Sequence, residues 1–118
     1  MVKRGSIVLI KYPFTDLSSS KVRPAVIITP DEFLNKIDDI LCLFISSSIP
    51  VQPLSTDFIL ENINPHFSKT GLKVTSVFRT HKLALLNKSL IQRILGELHP
   101  NLMAQIDTKL KIALGIQS

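Results

Sequence analysis

"DILCLFIS" occupies residues 39–46 and is apolar at six of its eight positions. An unbroken apolar run of strand length means that both faces of the strand are covered. In a chain of 118 residues, a strand covered on both sides predicts a closed barrel or a subunit interface. The run stops at Ser46-Ser47-Ser48, which puts hydroxyls at the end of a rigid element.

The segments on either side of this run are mostly strand-like. "SIVLIKY" (6–12), bounded by Gly5 and Pro13, is rich in β-branched residues and predicts a strand. "PFTDLSSSKV" (13–22) reads as a loop. Pro24 is read as the first position of the next strand, where no ladder donor is lost, and "AVIIT" (25–29) continues it. "PDEFLN" (30–35) predicts a helical turn. "STDFILEN" (55–62) predicts a strand, and "INPHFSKTG" (63–71) is rich in turn residues. "LKVTSVFRT" (72–80) alternates, with Val74 and Phe78 on one face and Thr75, Val77 and Arg79 on the other. "KLALL" (82–86) continues it after a bend. "LIQRILGEL" (90–98) fits two readings. Leu90, Ile91, Ile94, Leu95 and Leu98 make a helical stripe, whereas Gly96 favours a turn and a short strand. Beyond Pro100, the residues Leu102, Met103, Ile106, Leu110, Ala113 and Leu114 recur at helical spacing, and Gly115 marks the stop. The expectation is one domain over 1–118, mainly β (α+β), with five or six strands in a barrel-like arrangement and a C-terminal helix packed across them.

The composition is that of a folded chain: 45% hydrophobic and 19% charged residues. Fourteen Lys and Arg against nine Asp and Glu give a formal charge of +5. This excess suits a polyanion or an acidic protein partner. Cys42 is the only cysteine. It excludes an intrachain disulfide and reads as a small buried hydrophobe rather than a nucleophile. The start of the sequence does not resemble a signal peptide, and no segment has membrane-spanning length. A soluble cytoplasmic protein without membrane contact is expected.

The chemistry-bearing residues are few. His66, His81 and His99 are scattered, so neither a metal nor another cofactor is expected. Phosphate-loop, dinucleotide and nucleophile-elbow signatures are absent. Asp38-Asp39 reads as a solvated turn. The polar candidates sit at strand edges: Lys21 and Arg23 before the second strand, Ser46 and Ser47 after the third, and Arg79-Thr80-His81 with Lys82 after "LKVTSVF". A guanidinium is a planar fork matched to phosphate oxygens. A nearby hydroxyl can donate to the same phosphate. Phe14 and Phe67 are loop aromatics available for base stacking.

In order and spacing, these segments resemble the MazF/PemK family of type II toxin–antitoxin endoribonucleases. "KRGSIVLIKYPFTDLSSSKVRPAVIIT" is similar to the family's opening strand, loop and Arg-Pro strand start. "DILCLFISS" resembles its third strand, which ends in threonine or serine. "GLKVTSVFRTHKLALLNKSLIQRILGEL" and "HPNLMAQIDTKLKIALGI" resemble its later strands and closing helix. The resemblance implies a small SH3-like barrel of five to seven strands with a C-terminal helix, assembled as a homodimer. It implies single-stranded RNA, commonly mRNA, as substrate and a cognate antitoxin as inhibitor, with any DNA contact made only through the antitoxin complex. It also implies metal-independent cleavage by attack of the RNA 2′-hydroxyl. Arg23 and Ser46 match the family's catalytic pair, with Ser47 or Ser48 as alternative sources of the hydroxyl. Arg79 matches an RNA-phosphate contact, and Lys21, Thr80, His81, Phe14 and Ser47 join it as candidate RNA contacts. Ser6 stands where the family commonly has aspartate, and Ser46 where it commonly has threonine. A gyrase-targeting toxin on the same barrel, related to CcdB, and a catalytically silent RNA- or partner-binding domain are the alternative functions.

Overall fold

The computed structural model describes residues 1–13 and 21–117. Six strands and two helices follow in chain order: β1 (Ser6–Tyr12), β2 (Lys21–Ile27), α1 (Asp31–Leu34), β3 (Asp39–Ser46), β4 (Asp57–Leu60), β5 (Ser76–Asn87), β6 (Ile91–Glu97) and α2 (Pro100–Leu114). Short 3₁₀ turns at Ser68–Thr70 and Lys88–Leu90 precede β5 and β6. The sheet order is β4-β5-β3-β2-β1-β6, and every pairing is antiparallel. The mainly-β architecture closed by a C-terminal helix is the one expected.

The apolar run of β3 is explained within one chain. Leu43 and Ile45 point into a core shared with Ile7, Val26, Phe58, Leu60 and Phe78, closed by Leu102, Met103, Ile106 and Leu110 of α2. Ile40 and Cys42 point to the opposite face, into a second core with Val8, Ile10, Ala25, Ile27, Leu34 and Leu86. A large aliphatic side chain buried in either core stabilises the fold by about 1.5–3 kcal/mol relative to exposure. Leu41 breaks the pattern. It is 37% exposed and pairs across the sheet with Leu85, which is 60% exposed.

Local details differ from the expectation or settle it. Pro24 is the fourth residue of β2, not its first. It is tolerated because β3 pairs with β2 only from Ala25 onward, so the ladder is open on that side at Pro24. Residues 72–75 lie outside β5, which starts at Ser76. The ambiguous segment is the strand β6, because Gly96 lies against the backbone of Lys69 and Thr70, where a Cβ would collide. β5 is one strand with a bend: between the Leu43–Leu83 and Ile45–Phe78 pairs, β3 advances two residues while β5 advances five. The helical stripe of α2 holds through Leu110, but Leu114 is exposed. Gly115, at φ 72°, ends the helix in the left-handed conformation that glycine tolerates.

Candidate nucleic-acid interface

The second core runs out at one end of the sheet, and polar residues continue it. Strand side chains share a face at every second position. Tyr12 follows Ile10 on β1, Arg23 precedes Ala25 on β2, Ser46 follows Phe44 on β3, and Lys82 precedes Ala84 on β5. Each is one step beyond residues of the second core or packed against it. Arg23 and Ser46 each lie two residues beyond the Ala25–Phe44 pair, the last between β2 and β3 on this side. These side chains, with Ser48, Arg79, Leu83 and Leu85, line an open groove of about 790 Å³. Its three charged residues, Arg23, Arg79 and Lys82, are all cationic, so the groove suits an anion.

Each charge is held differently. Arg23 is exposed, and its guanidinium carbon lies 4.9 Å from the centre of the Tyr12 ring. Tyr12 meets Phe44 edge to face, with centroids 5.0 Å apart. The guanidinium is thus oriented by an aromatic face while its donors stay accessible. Arg79 is gripped from behind by Asp57, with Nε donating to Oδ1 at 3.0 Å and Nη2 to Oδ2 at 3.3 Å. Burial raises the pKa of the Asp57 carboxyl. The Arg79 hydrogen bond, the Leu54 N–H and the charges of Arg79 and His81 outweigh that effect and hold it below the usual carboxylate range. The Ser46 hydroxyl accepts the Ser48 N–H at 3.0 Å, which closes a tight turn at the end of β3.

The other candidates are distributed as follows. Ser47 is exposed but does not line the groove, whereas Ser48 does. Lys21 is exposed at the start of β2, outside the lining. Thr80 is a correction. It is 1% exposed, and its hydroxyl donates to the Thr56 carbonyl at 2.6 Å, so it cannot reach a ligand in the groove. Phe67 is a second correction, being packed in the first core instead of presented for stacking. His81 is exposed and does not line the groove. His66 and His99, distant in sequence, stack with centroids 3.6 Å apart, while His99 Nδ1 accepts the Asn101 N–H at the start of α2. Phe14 lies outside the described residues. Among the described residues, no group of three or more His, Cys, Asp or Glu side chains is arranged to hold a metal. Burial pushes the Cys42 thiol up to about 11, as expected of an inert core cysteine.

Sequence reasoning missed Tyr12, Phe44 and Asp57. Tyr12 and Phe44 carried a signal, since each is an aromatic on the face that leads to Arg23 or Ser46. Asp57 carried none, because it lies 22 residues from its partner.

A six-stranded antiparallel sheet with a C-terminal helix, carrying a groove whose charged residues are all cationic, defines the class as a small mainly-β fold. The chain belongs to the PemK-like, MazF-like toxins of type II toxin–antitoxin systems, whose family model matches residues 3–114. Its fold is similar to that of an endoribonuclease solved in complex with its cognate antitoxin from a mycobacterial species: TM-score 0.78 and 18% identity, over 100% of this chain and 99% of that one. The Mycobacterium tuberculosis toxin MazF-mt6 superimposes with a TM-score of 0.76 at 16% identity, over 96% of this chain and 99% of that one. A MazE–MazF structure from Deinococcus radiodurans gives 0.76 at 19% identity, over 98% of each chain. At these identities the structural likeness is one of fold. No curated protein matches the sequence. Among the described residues, no helix is long and apolar enough to cross a membrane.

Proposed function

We propose that this toxin is an endoribonuclease that cuts single-stranded RNA in the groove of Arg23 and Ser46. The observation that carries the reading is that an arginine and a hydroxyl from neighbouring strands line one groove whose charges are all positive.

RNA supplies its own nucleophile. The 2′-oxygen attacks the adjacent phosphorus, forming the P–O2′ bond and breaking the P–O5′ bond. The products are a 2′,3′-cyclic phosphate and a free 5′-hydroxyl. The 2′-hydroxyl gives up a proton, and the departing 5′-oxygen gains one. Negative charge builds on the non-bridging oxygens in the transition state. Arg23 stabilises it with a planar fork aimed at two oxygens. Ser46 hydrogen-bonds the phosphate or aligns the 2′-oxygen, and Arg79 and Lys82 hold the flanking backbone. The ionisable groups lining the groove among the described residues are Tyr12, Arg23, Arg79 and Lys82. Arg23 acts as an electrostatic stabiliser and hydrogen-bond donor rather than as the base or acid, and the two protons are exchanged with water.

The partners follow from the same surface. A cognate antitoxin with an acidic segment would occupy the cationic groove and exclude RNA. The protein would form a homodimer through the sheet near Leu41, whose side chain leaves apolar surface exposed outside the groove.

The test is incubation of purified protein with end-labelled, mixed-sequence RNA in EDTA, followed by end-group analysis. Cleavage leaving cyclic phosphate ends supports the reading and its metal-free route. Intact RNA, with or without Mg²⁺, overturns it. Inhibition of gyrase supercoiling by a protein that leaves RNA intact would assign it to the gyrase poisons instead.

A further inference from the structure

The most constrained charge near the groove is on a residue outside its lining. Asp57, the first residue of β4, has a side chain with 0% exposure. A buried carboxylate persists only with partners, and this one has three donors. Arg79 Nε and Nη2 occupy both oxygens, and the Leu54 N–H donates to Oδ2 at 2.8 Å. The fork engages the Nε/Nη2 edge of the guanidinium and leaves Nη1 outside the grip. Arg79 itself is 27% exposed and lines the groove. It stands directly opposite Asp57 in the β4–β5 ladder, beside the bend where the ladder with β3 is interrupted. The register sets which face the side chain leaves from, but not where its long, flexible end points. The Leu54 contact ties the segment that follows Ser46 to the same carboxylate. A buried ion pair stabilises a fold little better than apolar packing of equal volume. What it does supply is a fixed direction for a long, otherwise mobile side chain.

We propose that Asp57 is a positioning residue: it clamps one edge of the Arg79 guanidinium so that the other edge meets an RNA phosphate, and through Leu54 it anchors the 47–56 segment beside the same groove. The inference rests on the nuclease reading above. The charged groups around the clamp are Arg79 and His81 of β5, with Lys109 of α2 nearby, its Nζ donating to the Ser55 carbonyl at 3.0 Å.

The experiment is a double-mutant cycle of Asp57→Asn, Arg79→Ala and the double variant. It is read by single-turnover cleavage and by affinity for a 2′-O-methyl RNA that cannot be cut. Asp57→Asn should slow cleavage by about ten- to a hundredfold, the scale expected when a contact group is misplaced by about an ångström. In the Arg79→Ala background, the same substitution should change neither rate nor affinity by more than about twofold, because the residue it acts through is gone. Equal losses in both backgrounds would overturn the proposal. A second measurement needs no variant. In the wild-type protein, the Arg79 Nε–H should give a nuclear magnetic resonance signal protected from exchange at neutral pH, with protection lost only when acid protonates Asp57. An Nε–H that exchanges freely at neutral pH would overturn the clamp even if Asp57→Asn does not fold. Failure of the wild type to cut RNA would instead defeat the nuclease reading, while the exchange signal and the affinity cycle would still report on Asp57.

Discussion

On the proposed reading, Arg23→Ala should separate catalysis from folding. The side chain is exposed, and its ring contact is with Tyr12 at 4.9 Å. A cation–π contact at an exposed site contributes about 0.5–1 kcal/mol. For a domain of this size, that corresponds to a fall in Tm of less than about 5 °C. The β1–β2 ladder through Ile10 and Arg23 is made by backbone and survives the substitution. The catalytic loss is of another order: removing a preorganised donor to a developing oxyanion costs about 10²–10³ in rate, or roughly 2.7–4 kcal/mol. Activity should therefore fall by two to three decades in a protein whose circular dichroism and melting are nearly unchanged. Arg23→Lys should recover little, since an ammonium does not reproduce the planar fork and loses the stacking of guanidinium on tyrosine. The assay is single-turnover cleavage of a mixed-sequence RNA in EDTA, with thermal melts of each variant. A folded Arg23→Ala protein cutting at the wild-type rate would refute the reasoning and shift the central role to Arg79. A melting point lowered by more than about 10 °C would refute the structural half, because Arg23 would then be carrying part of the fold.

Ser46→Ala should cut slowly and Ser46→Thr should stay active in the same assay, because threonine keeps the hydroxyl that accepts the Ser48 N–H; a fully active Ser46→Ala would move the role to Ser48, the other hydroxyl in the groove. Gly96→Ala should lower stability by about 1–3 kcal/mol in urea denaturation, since its Cβ would strike the Lys69 and Thr70 backbone. Acid should weaken the fold through Asp57. Its folded pKa is lowered, so its contribution is present above the ordinary aspartate pKa and fades as pH falls through the folded one. Melting curves of Asp57→Asn should accordingly depend less on pH below 5 than those of the wild type. Leu41→Lys should shift sedimentation toward the 13.2 kDa monomer without unfolding it, and an unchanged oligomer would put the interface elsewhere.

What could be read along the chain was the information that is local. Apolar strand-length runs, a proline or glycine at several boundaries and the stripe from Leu102 to Leu110 define the elements, because strand and helix geometry repeats over a few residues. β1 and β3 match the stretches 6–12 and 39–46 end to end. The apolar continuity of 39–46 spoke for cover on both faces but not for what provides it. Two cores within one chain do so, and this became visible only once β2, β5 and α2 had been set around β3. Gly96 was ambiguous for a similar reason. Its space is limited by the carbonyls of a distant turn, not by its neighbours in sequence.

The groove was legible only in part. Arg23 and Ser46 stood out as polar residues where strands begin or end, but their meeting depends on the register of β2 against β3. A shift of one residue would have turned either side chain to the other face. Thr80 and Arg79 are adjacent in sequence, yet one is buried against the Thr56 carbonyl and the other lines the groove. Strand alternation sends them to opposite faces, and the approach of β4, with Asp57 opposite Arg79, decides what each side chain meets. Asp57 is the clearest limit. An aspartate opening a short strand reads as a solvated end, and only the approach of β5 makes it a buried anion with an arginine held against it. Sequence by itself determined which segments become strands and which residues are able to bind an anion. Tertiary structure alone decided which of them share a site, because strand pairing between segments distant in the chain sets which side chains face each other.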